Sequence, residues 1–164
     1  MAWTTPKTNW SGASSAAGYS GDFFDYRDFN RIKNNIAYIF SIIDNLSNCA
    51  QVISAARTQY PSKYVLIDGD SDRTVTDFVY ADEFNYFLNC IRLLWRCITN
   101  NATTYDETHS YANDCYDNGY FPTAAYLNEM EGSILYIYEV VTSSLDGREM
   151  LSFILPDEPD EPNV

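Results

Sequence analysis

The sequence predicts a mainly α fold: a three-helix bundle with three similar helix-start repeats, a small β-hairpin and an extended N-terminal arm. Three observations lead there. Apolar residues recur at helical spacing in three separate stretches, each stretch opens on a shared aromatic and asparagine pattern, and the segments between them are polar.

The stripes come first. Aligned on Asn30, Asn85 and Asn128, the preceding residues are Phe29, Phe84 and Leu127, and two residues beyond each Asn stand Ile32, Phe87 and Met130. The pattern continues as Ile36, Ile39 and Ile43; as Ile91, Leu94 and Ile98; and as Ile134, Ile137 and Val141. All fifteen positions are apolar at spacings of three and four, which lays one stripe along each helix. The first stripe extends through Leu46, Ala50 and Ile53. Helices are therefore expected over residues 25–57, 81–100 and 123–145.

The helix starts also correspond. Phe23, Phe78 and Phe121 each lie seven residues before the aligned Asn. Asp25 and Thr123 stand where an N-cap belongs, and Phe24 before Asp25 can staple onto Phe29. Tyr80 is a poor cap, so Asp77 is the candidate one turn earlier. Asparagine is a mediocre helix residue because its amide competes for backbone groups. Its recurrence one turn into each helix predicts that at least two of the three amides bind backbone near a helix start.

Between the first two helices, residues 63–79 alternate and contain Asp-Gly, which predicts the hairpin. Residues 101–121 are polar and read as a long loop carrying Tyr105, Tyr111, Tyr116 and Tyr120. The end is acidic and proline-rich. The expected organisation is an arm at 1–20, a helical domain at 21–150 and a tail at 151–164.

The formal charge is −13 over 164 residues, and of ten basic residues only Arg148 follows Arg96, against thirteen acids from Asp106 onward. Such a chain is a poor binder of nucleic-acid backbones, where each phosphate contact needs Lys or Arg. No run is long enough for membrane insertion and no leader-like apolar segment opens the chain, so secretion is not expected. Cys49, Cys90, Cys97 and Cys115 lack metal or redox spacing and read as buried thiols. His109 near Asp114 and Cys115 matches no nucleophile motif, and no cofactor site is expected. Asp68, Asp70 and Asp72 have calcium-loop spacing, but Arg73 and Val79 stand where such a loop has Gly and Glu. They are expected to be hairpin acids, with no metal.

The opening is more informative. "WTTPKTNW" (Trp3 to Trp10) and "GDFFDYRDFNRIKNNIAYI" (Gly21 to Ile39) resemble the start of short proteins encoded among tail genes of phages and prophages of Gram-positive gut bacteria. The likeness rests on Pro6, Lys7, Thr8, Trp10, Phe23, Phe24, Asp28, Asn30, Arg31, Ile32, Asn34, Asn35 and Ile36. It covers the first quarter of the chain; Asp25 replaces the family's usual Asn, and "SGASSAAGYS" lengthens the linker.

The resemblance implies a non-enzymatic tail, baseplate or fibre component, located in the virion after assembly in bacterial cytoplasm. Its partners would be other tail subunits, including copies of itself. Trp3, Pro6, Lys7 and Trp10 would anchor the arm on a neighbour, with Phe23, Phe24, Asn30 and Arg31 at the contact. Tyr offers broad contact area at low entropic cost, so the tyrosine loop would face a partner or a host-surface glycan. Removing residues 1–20 would leave the fold and abolish assembly. The alternatives are an acidic decoy that inhibits a nucleic-acid enzyme, or a glycan-binding module.

Overall fold

The computed structural model describes residues 2–15, 18–43, 49–68, 70–99 and 123–154. Its helices are α1 (Tyr26–Ile43), α2 (Cys49–Gln59), α3 (Ala81–Thr99) and α4 (Ala124–Ile154). An antiparallel hairpin, β1 (Gly12–Ser15) with β2 (Gly18–Gly21), precedes α1, and 3-10 turns at Pro61–Lys63 and Val65–Asp68 follow α2.

The apolar stripes form the core. Every stripe position in α1, α3 and α4 is buried except Ile98, which is half-buried. These three helices pack pairwise, and their starts meet at one end. Phe24 lies 5.3 Å from Phe84 and Phe29 lies 4.9 Å from Phe87, measured between ring centroids. Tyr38 of α1 and Tyr138 of α4 are 6.2 Å apart further along. Residues at matching distances from each helix start are thus neighbours, so α1, α3 and α4 run parallel. Parallel neighbours require long return connections. Residues 44–80 make one of them, with α2 packed on α3.

Two helix starts carry the expected caps. Asp25 Oδ1 accepts from Arg27 N at 2.8 Å, while Asp25 N donates to Asp28 Oδ2 at 3.1 Å, a reciprocal box with Asp in place of Glu. Thr123 Oγ1 accepts from Tyr126 N at 3.2 Å. At α3 the expectation fails: Asp77 accepts from Thr74 N at 2.7 Å instead, and Glu83 reaches back to Tyr80 N at 2.8 Å. The box keeps its acidic half, so a tyrosine suffices at the cap position.

Three further expectations are corrected. The first predicted helix is two: α1 ends at Ile43, and α2 resumes in another register, burying Cys49, Ile53 and Ala56 while Ala50 is exposed. Leu46 lies outside the described residues. No hairpin forms among the described residues of 63–79, because α1 side chains take up the backbone groups that a ladder would need, as shown below. The hairpin lies instead in the linker at residues 12–21, where Gly21 has φ 131° and a Cβ would strike Ser11 O and Gly12. Finally, α4 runs to Ile154, past the helix end expected at residue 145. Among the described residues no helix is long and apolar enough to cross a membrane.

Candidate functional site: an extended strap in a helical groove

Residues 2–10 form neither helix nor strand. They lie as an extended strap between α1 and α4, running opposite to both. Asn35 of α1 grips Thr4 twice: its Oδ1 accepts from Thr4 N at 3.0 Å and its Nδ2 donates to Thr4 O at 2.6 Å. Asn128 of α4 grips Trp10 in the same way, accepting from its N at 2.6 Å and donating to its O at 3.0 Å. Between them, Lys7 N donates to Glu131 Oε2 at 2.8 Å. Anchors at Thr4, Lys7 and Trp10 recur every third residue, the repeat of a polyproline II chain. Pro6 is buried and brings no N–H needing a partner.

Glu131 is the hub. Its carboxylate is buried and accepts from Lys7 N, from Trp10 Nε1 at 2.8 Å, and from both Nε and Nη2 of Arg31 at 3.0 and 2.7 Å. Arg31 Nη1 also donates to Asp28 at 2.7 Å. Burial alone would depress the Arg31 pKa, but its bonds to Glu131 and then Asp28 outweigh that and raise it. The strap's aromatics complete the seat. Trp10 is 5% exposed beneath the Lys7 ammonium, 4.2 Å from the ring centroid, and Trp3 stacks on Tyr138 at 3.9 Å.

Lys7 Nζ also reaches Asp22 at 2.6 Å, across the foot of the hairpin. That bond, with those from Ser11 N and Oγ, lowers the Asp22 pKa from 3.8 to about 2. A depressed carboxyl pKa stabilises the fold fully above the unfolded value and is lost as pH falls through the folded one. Stability linked to Asp22 is therefore expected to fall from about pH 3.8 towards pH 2. Thermal midpoints measured across that window should drop less steeply in Asp22→Asn than in the parent chain.

A second extended segment, residues 70–73, lies on α1 with the same register. Asn30 Nδ2 donates to Arg73 O at 2.8 Å and Asn30 Oδ1 accepts from Arg73 N at 2.7 Å. Three residues along α1, Lys33 Nζ donates to Asp70 O at 2.6 Å, three residues back along the segment. Asn128 and Glu131 hold Trp10 and Lys7 with the same offsets. Lys33 is 0% exposed, and its ammonium also pairs with Asp72 at 2.8 Å. That contact lowers the Asp72 pKa, with a smaller share from Asn34. Of the acids with calcium-loop spacing, Asp72 thus turns its carboxylate to a lysine, and among the described residues no three His, Cys, Asp or Glu are grouped to hold a metal.

Two of the three aligned asparagines thus grip backbone, and Asn85 is also engaged. Replacing Asn30 by alanine strands Arg73 N and O and is expected to cost about 1–3 kcal/mol. An unchanged denaturant midpoint would contradict the clamp.

Of the residues expected at a partner contact, the structure brings Trp3, Pro6, Lys7, Trp10 and Arg31 together in this groove of their own chain. Phe24 packs inward, 5.9 Å from the Trp10 ring, and Asn30 serves the second segment. Phe23 is 75% exposed. Tyr105, Tyr111, Tyr116 and Tyr120 lie outside the described residues, as do His109, Asp114 and Cys115. Cys49, Cys90 and Cys97 are buried, and burial pushes the Cys90 pKa up to about 12. Sequence reasoning missed Lys33, Asn35, Glu83 and Glu131. A signal existed for two of them: Lys33 and Glu131 each lie three residues after an aligned Asn, on the apolar face. No protein-family model, curated protein or solved structure matches the chain.

Proposed function

We propose that this chain is a non-enzymatic structural subunit of a phage or phage-derived tail, baseplate or fibre, working through protein–protein contacts. The observation that carries the reading is an aromatic surface at the common end of the parallel helices. Phe23 and Phe78, seven residues before Asn30 and Asn85, are 75% and 77% exposed, with Val75 and Tyr80 exposed nearby. A cleft of about 560 Å³ between the start of α1 and residues 75–79 is lined by Tyr26, Val75 and Phe78. Exposed apolar patches of this kind mark interaction surfaces. The opening motif's likeness to tail-gene products supplies the biological setting.

The chain is further read as tandem strap-and-helix units. One strap leads to α1 and is gripped by α4; the next leads to α3 and is gripped by α1. Each is closed by the same turn chemistry: Ser11 with Asp22, and Thr74 with Asp77. Helices whose starts share one end then present their preceding aromatics to one partner face.

Quantitative mass spectrometry of purified particles from producing cells tests this reading. The chain should be present in fixed stoichiometry with tail proteins, and Phe23→Ser/Phe78→Ser should fold yet be lost from particles. Particles without the chain, or full incorporation of the double variant, would overturn it.

A further inference from the structure

We propose that the strap is exchangeable: the groove between α1 and α4 takes residues 2–10 of a second copy of this chain in place of its own. The inference rests on reading the chain as an assembling subunit. The hydrogen bonds in the groove go largely to main chain. Asn35, Asn128 and Glu131 bind the N–H or C=O groups of Thr4, Lys7 and Trp10, and the Trp10 indole adds a side-chain bond to Glu131. A copy's strap would make the same contacts, so exchange leaves the groove's interactions unchanged.

The connection is also longer than seating the chain's own strap requires. Ser11 N and Oγ donate to Asp22 Oδ2 at 2.8 and 3.0 Å, and Asp22 N donates to Ser11 O at 2.8 Å. Thr74 and Asp77 form the same three bonds at 2.7, 2.9 and 3.1 Å. Two residues separate the second pair, whereas ten separate the first. Those ten residues hold the β1–β2 hairpin, whose strands are four residues each. An isolated two-stranded hairpin is marginally stable in water. Opening it releases a reach of roughly 30 Å at about 3.3 Å per residue. The closed strap prevails in dilute solution, because a short linker gives an effective concentration of about millimolar. Exchange takes over where copies are crowded into an assembly.

Disulfide trapping between full-length chains tests this directly. Chains carrying Thr4→Cys are mixed at high concentration with chains carrying Asn35→Cys and oxidised; a second pair uses Trp3→Cys with Tyr138→Cys. At least one pair should accumulate a covalent heterodimer. A variant with residues 12–21 replaced by Val-Thr, copying Val75 and Thr76, should give at least tenfold less. No heterodimer from either pair overturns the proposal, and so does equal trapping in the shortened chain. Sedimentation of the same samples separates the two readings: self-association without trapping removes strap exchange and leaves the assembling subunit standing.

Discussion

Replacing Glu131 by alanine is expected to destabilise the fold by about 3–5 kcal/mol, the range for removing one partner of a buried ion pair. The variant leaves Arg31 with Asp28 as its carboxylate partner, and it removes the acceptor of the buried Trp10 Nε1 and the part-buried Lys7 N. Glu131→Gln keeps an acceptor for the strap while losing the charge that faces Arg31, so its loss should be smaller. Urea unfolding of the three proteins measures the order directly. A Glu131→Ala midpoint within about 1 kcal/mol of the parent would mean that the carboxylate does not hold strap and helices together.

The second large effect concerns the strap itself. Deleting residues 1–10 is expected to abolish cooperative unfolding rather than leave an intact bundle. Loss of the buried Trp10 ring alone carries about 3–5 kcal/mol, on the scale for large-to-small core changes. Asn35, Asn128 and Glu131 then lose their main-chain partners, at about 1–3 kcal/mol for each group left buried and unsatisfied. Neighbouring losses are not additive, but their scale approaches the whole stability of a domain, about 5–15 kcal/mol. Thermal unfolding followed by circular dichroism should show a broad, shallow transition. A sharp transition near the parent midpoint would restore the separable arm that the sequence suggested.

That arm shows where sequence reasoning stopped. Helical periodicity identified the core because burial follows spacing: Phe29, Ile32, Ile36, Ile39 and Ile43 face inward for the reason that they recur at three and four. Caps at Asp25 and Thr123 were legible because they act within one turn. The register of α2 was not, since Leu46 and Ala50 continue the period in sequence while tertiary packing buries Cys49 in place of Ala50. The seat of the strap was not legible for a similar reason. Trp3, Pro6 and Trp10 show that the segment seeks an apolar seat, but their spacing does not say whose. The seat depends on Asn35 and Glu131, 31 and 124 residues from the groups they bind, and no local pattern joins them. The asparagines came closest: an unfavourable helix residue repeated one turn inside three helices pointed to backbone contacts, without naming Arg73 or Trp10 as the partner.

Amide hydrogen exchange along the strap tests the central claim most directly. Thr4, Lys7 and Trp10 donate their N–H groups to Asn35, Glu131 and Asn128, while Thr5, Thr8 and Asn9 are exposed. Under native conditions protection is expected at residues 4, 7 and 10, with 5, 8 and 9 exchanging near the rate of an unfolded peptide. Uniformly fast exchange from residue 2 to residue 10 would mean that the strap does not occupy the groove, and the account built on it would fall.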